Sequence, residues 1–140
     1  MPVFSTDLST HSRNGRAVVA LRGELDLVDA AAVAAALTAT AVSEPQIIVD
    51  LAGLEFIDSS GVAALARGRR QAWQAGGDLV LAAPQREVML VLAITRLIDA
   101  FCVYATVEEA AGAAGHLQER AVPGPAASRL LPTAGAGAEA

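Results

Sequence analysis

Two hydrophobic rhythms alternate along the chain. RAVVALRG (residues 16–23), QIIVDLAGL (46–54) and DLVLAAP (78–84) are compact apolar runs rich in aliphatic and β-branched residues, the pattern of strands. The second is continuous enough for a strand buried on both faces of a sheet. Between them the spacing lengthens to that of a helix. Leu27, Val33, Ala34, Leu37 and Ala41 recur on one helical face in residues 24–45, with Asp26 or Asp29 as the cap and Pro45 as the stop. Val62, Leu65, Ala66 and Trp73 share one side of a second helix, which Gly76 and Gly77 end. QREVMLVLAIT then reads as a helix, AFCVYAT as a short last strand, and VEEAAGAAGHLQ as a closing helix with Glu108 and Glu109 near its start. At the front, Val3 to Leu8 reads as a first strand and HSRNG as a turn, so the fold opens on a hairpin. Strands that alternate with helices require crossovers, which predicts an α/β domain with a mixed, mostly parallel sheet of four to five strands and about four helices.

Composition adds boundaries. A chain of 140 residues suits one domain, expected over residues 1–118. Residues 119–140, rich in Pro, Gly, Ala and Ser, read as a disordered tail, in which Leu130 and Leu131 are an apolar interruption of an inert extension. The net charge is −5 and the ten basic residues, all Arg, form no stripe, so direct nucleic-acid binding is not expected. Cys102 stands alone in an apolar setting. It permits neither an internal disulfide nor a thiolate metal site, and reads as a small buried hydrophobe in a reducing compartment. With no leader-like start and no apolar run of membrane-spanning length, the expectation is a soluble, cytoplasmic protein.

The chemistry concentrates where the second buried strand runs into its helix, in FIDSSGVAAL. A helix start leaves backbone N–H groups without partners, and Asp58, Ser59 or Ser60 can each accept one; Gly61 allows a tight turn or a close approach. The same place suits a phosphoserine, because the positive end of the helix dipole faces a group carrying about −1.5 to −2 charge. Hydrolase chemistry is disfavoured: the only histidines, His11 and His116, fall in a turn and near the tail, and DSSG lacks the flanking pattern of a nucleophile elbow. No metal and no cofactor is implied, and no Gly-rich phosphate cradle supports a nucleotide sensor.

The order VVALRGELD, helix, IIVDLAGLEFIDSSGVAAL, helix, GGDLVLAAP resembles the anti-sigma factor antagonist family, whose fold is the STAS domain, from about Val3 to His116. That resemblance implies a binding protein, not an enzyme. The unmodified form binds an anti-sigma factor that is itself a serine kinase and so frees the sigma factor; phosphorylation ends the binding, and a serine phosphatase resets it. The family's acceptor follows the motif Asp, which maps to Ser59 beside Asp58; Ser60 is then better placed as the cap. Glu24 and Asp26 of GELD are expected near the phosphorylation loop, and Val62, Ala63 and Arg67 with them on the partner face, in a monomer or weak dimer without a membrane partner. The chain departs from the family where Val62 and Ala63 follow Gly61, since a Gly-hydrophobic-Gly pattern is frequent there. Arg67, Arg69 and Arg70 make the next turns basic, either as a solvated face or as a selector for an acidic kinase surface. Trp73 reads as packing rather than as an interface anchor. Other uses of the STAS fold remain open: a scaffold subunit of a stress-sensing assembly, or a subunit of a lipid-transport complex.

Overall fold

In a computed structural model, residues 6–120 are described, with side chains through residue 113. Residues 121–140 of the expected tail, Leu130–Leu131 among them, lie outside the described residues, as do Val3 and the side chain of His116, whereas Glu119 and Arg120, assigned to that tail, end the closing helix. Five strands form one sheet in the order of the chain: β1 (Thr6–Arg13), β2 (Arg16–Leu25), β3 (Gln46–Ile57), β4 (Asp78–Ala82) and β5 (Val103–Tyr104). β1 and β2 are an antiparallel hairpin, and every later pairing is parallel. The helices are α1 (Leu27–Ser43), α2 (Ser59–Gln74), α3 (Arg86–Ile94) and α4 (Val107–Arg120), with a 3-10 turn at Ile98–Ala100. This is the predicted mixed, mostly parallel sheet with four α-helices.

The differences from expectation are local. HSR belongs to β1, and only Asn14 and Gly15 turn the hairpin, both with positive φ (55° and 77°) as a tight two-residue turn requires. The last strand shrinks to two residues, because Ile98–Ala100 coil into the 3-10 turn before it. Leu27 is not core: it lies at the first turn of α1, past the end of β2, and is 73% exposed.

Side-chain alternation along the strands builds two cores. Val19, Leu21, Ile47, Val49, Leu79 and Leu81 face α1, α2 and α3, which contribute Val33, Leu37, Val62, Leu65, Val88 and Leu92. Val18, Ile48, Val80 and Ala82 face α4, with Cys102, Ala110 and Ala111 beside them. Cys102 is buried as expected. β3 outruns β4, which pairs only as far as Asp50. Past that point the backbone of Ala52 is held by side chains: its N–H donates to Asp50 Oδ1 at 3.0 Å and its carbonyl accepts from Gln85 Nε2 at 2.7 Å. β2 follows the long strand through two register shifts, one beside Gly23 at φ 88°, so β2 and β3 end together.

Candidate functional site

The paired ends Leu25 and Ile57 decide the geometry. An aspartate follows each, and a helix follows each aspartate. Asp26 takes extended backbone angles (φ −126°, ψ −169°) and its Oδ1 accepts from Val28 N at 3.1 Å, while its carbonyl accepts from Ala30 N at 2.9 Å. Asp58 repeats the device (φ −111°, ψ −175°): Oδ1 accepts from Gly61 N at 3.0 Å and the carbonyl from Val62 N at 3.0 Å. Its own N–H donates to Leu25 O at 3.1 Å, which ties the start of α2 to the end of β2. Two helix N-termini therefore open side by side, and parallel pairing of two consecutive βα units is the reason.

This settles the cap. Asp58, not Ser60, caps α2, and Asp26, not Asp29, caps α1. The carboxylate reaches the third N–H across the first turn, as an N-cap side chain does, whereas Ser59 and Ser60 already carry helical backbone. Ser59, the first helical residue, is exposed; Ser60 is partly covered. Gly61 is a close approach rather than a turn. A Cβ there would lie 2.6 Å from Ile57 Cγ1 and 2.9 Å from the Leu25 carbonyl oxygen.

Around Ser59 the surface mixes acid and aliphatic groups. Glu24 pairs in register with Phe56 across β2 and β3, and both are exposed, as is Glu55. Ala63 and Arg67, one and two turns along α2 from Ser59, are exposed on its face. Val62 is fully buried and offers a partner nothing, because its side of α2 packs onto the sheet. Sequence reasoning missed Val28 and Phe56, 80% and 45% exposed, and misplaced Leu27. No local signal marks them: all three abut the paired ends of β2 and β3, and only that pairing shows which side chains are left uncovered.

Of the two histidines, the structure places His11 far from Ser59. His11 is exposed on β1 and pairs with Val18, whose β3 partner is Ile48, nine residues before Ile57. At about 3.3 Å per residue that is on the order of 30 Å from the Ser59 end of the sheet.

The far end of α2 holds a different constellation. Asp78 Oδ1 accepts from Arg69 Nε at 3.0 Å, from Trp73 Nε1 at 2.8 Å and from Leu79 N at 2.8 Å, and the Arg69 guanidinium lies 4.2 Å from the centre of the Trp73 ring. Burial pushes the Asp78 carboxyl above its ordinary value, a rise only partly offset by the Arg69 charge and the three donors. Arg69 is therefore not part of a solvated basic face. Arg67 and Arg70 are.

A sheet of this order, with an Asp-capped serine opening α2, is the setting for the family comparison. The model of the STAS domain matches residues 7–110. The chain belongs to the STAS domain family. Among solved structures, this STAS domain is similar to an anti-sigma factor antagonist from Mycobacterium paratuberculosis, 26% identical, covering 79% of this chain and 95% of that one at a TM-score of 0.69. The anti-sigma factor antagonist SpoIIAA in its unphosphorylated form is 24% identical, with 84% and 100% covered and a TM-score of 0.66. The Bacillus cell fate determinant SpoIIAA in its phosphorylated form is 26% identical, with 76% and 96% covered and a TM-score of 0.58. No match was found among the curated proteins. No helix among the described residues is long and apolar enough to cross a membrane, and none of their His, Cys, Asp and Glu side chains group in threes as a metal site would need.

Proposed function

We propose that this STAS protein is an anti-sigma factor antagonist whose unphosphorylated form binds a serine-kinase anti-sigma factor and releases the sigma factor, and whose phosphorylation on Ser59 ends the binding. The observation that carries the reading is the placement of Ser59: exposed, first in α2, directly after the capping Asp58. Likeness to antagonists, one of them known in unphosphorylated and phosphorylated forms, supports it.

In this reading the kinase partner brings ATP. Ser59 Oγ attacks the γ-phosphorus, the bond to the ADP oxygen breaks, and the hydroxyl proton passes to a base of the kinase. This chain contributes the acceptor and the docking face. A new charge of about −1.5 to −2 then appears beside the Asp26 and Asp58 carboxylates and next to the exposed Leu27, Val28 and Phe56. Apolar contacts that a partner makes there become costly because the phosphate must keep its water. The fold need not change, since the cap of α2 is Asp58 and not the modified serine. A serine phosphatase restores the binding form by hydrolysis.

Intact-mass analysis and peptide mapping after incubation with ATP and serine-kinase anti-sigma factors test this directly. One phosphate on Ser59, absent in Ser59→Ala, is expected; binding should persist in Ser59→Ala and weaken in Ser59→Asp. Equal binding by both variants, or phosphate only on Ser60, overturns the assignment.

A further inference from the structure

Six large hydrophobic side chains are exposed among the described residues: Leu27, Val28, Val42, Phe56, Leu90 and Ile94. Three of them, Leu27, Val28 and Phe56, lie within three residues of the paired strand ends Leu25 and Ile57, so they make a patch and not a scatter of single side chains. They come from separate segments. Leu27 and Val28 open α1, whereas Phe56 belongs to β3, where it pairs in register with Glu24. The two segments are locked together by the Asp58 N–H on the Leu25 carbonyl and by the close approach at Gly61, where a Cβ would lie 2.8 Å from Leu25 Cγ. Ser59 stands three residues past Phe56, at a helix start that adjoins that of α1.

Charge at this end has one sign. Residues 23–30 and 54–66 hold Glu24, Asp26, Asp29, Glu55 and Asp58 and no Arg, Lys or His.

Resting on the reading that a kinase phosphorylates Ser59, we propose that this kinase recognises its substrate as a folded surface, through Leu27, Val28 and Phe56, and not as the linear sequence around the serine. A kinase that brings its nucleotide to Ser59 Oγ covers the surface next to it, and these three side chains are the apolar part of that surface. The chemistry that fits them is an apolar socket with cationic residues on its rim, opposite Glu24 and Glu55. The nucleotide, not the rim, faces Ser59, so a phosphate formed there meets phosphate rather than a cation. A peptide of residues 52–66 keeps Phe56 and Ser59 but lacks Leu27 and Val28, and a segment that short holds no stable helix in water.

Steady-state phosphorylation of the full chain by serine-kinase anti-sigma factors is the test. Leu27→Asp combined with Val28→Asp should raise KM about a hundredfold, about tenfold for each lost anchor, with kcat little changed. Circular dichroism should stay that of wild type because both side chains are exposed. Val42→Asp, as exposed but at the other end of α1, should leave KM unchanged. The KM of wild type should rise with salt, and the peptide should show a kcat/KM about a hundredfold or more below that of the full chain. A peptide as good as the full chain, a double variant with the wild-type KM, a Val42→Asp variant as defective as the double variant, or a KM indifferent to salt overturns this proposal and leaves the Ser59 switch standing. No phosphate on Ser59 of the full chain with any of these kinases overturns both.

Discussion

The two ends of α2 are fixed by opposite means. At Ser59 the helix start is held by neutral backbone partners, the Asp58 carboxylate on Gly61 N and the Asp58 N–H on the Leu25 carbonyl, amid other acids and uncovered aliphatic groups. At its other end Arg69 and Trp73 both donate to Asp78, whose side chain and that of Arg69 are largely out of water. The buried ion pair is remote from the serine. A charge can therefore change at one end while the other keeps the helix on the sheet, which is what a site for reversible modification requires.

The comparison is broken most directly at the clasp. Asp78→Ala removes the acceptor for three N–H donors and strands the Arg69 charge, and should cost about 3 kcal/mol, the lower part of the range for breaking a buried pair. Denaturation followed by the fluorescence of Trp73, the only tryptophan, reads both the stability and the loss of its hydrogen bond. A cost below about 1 kcal/mol would mean that α2 is anchored elsewhere. Asp58→Ala comes next, at about 1 kcal/mol for one lost cap, measured by the same denaturation. Ser59→Asp should change stability by no more than about 0.5 kcal/mol, because the side chain is exposed and an acid suits a helix start. A larger loss would show that Ser59 carries structure as well as a modification.

The smallest effect is that of pH. The Asp78 carboxyl is raised above 3.8 in the folded chain, so the folded state holds the proton more tightly than the unfolded state does. Its contribution to stability is whole below about 3.8 and declines as pH rises through the raised value. Asp78→Asn keeps an acceptor and removes the titration. The stability of wild type relative to this variant should therefore be greatest in acid and fall as pH increases; a rise would place the carboxylate among groups favoured in their charged form.

The alternation of strands and helices and the Asp-Ser junction were legible because they rest on short-range causes. Leu37 and Leu65 repeat with a helix period, Ile47 to Val49 are continuous, and DSSG follows a strand. The cap was not separable, since Asp58, Ser59 and Ser60 all have an acceptor oxygen at a reachable position. Arg69 looked like a neighbour of Arg67 and Arg70 because nothing local marks Asp78, nine residues away and on another element, as its partner. Val62 was read both on the apolar side of α2 and, through the family resemblance, on the partner face; its full burial makes it core.

By itself, then, the sequence determined where strands and helices alternate, that one serine-rich helix start carries an acid, and that the chain resembles STAS proteins. Periodicity, capping and glycine stops act within a turn or two, so they survive without a fold. Only the tertiary structure decided which apolar residues are core. Leu27 and Leu37 have the same chemistry, yet one overhangs the sheet and the other lies between α2 and the strands. It also decided that two capped helix starts meet at one edge, because that follows from β2 and β3 pairing in parallel and ending in step. Burial is a property of what lies across from a side chain, and that neighbour comes from a distant part of the chain.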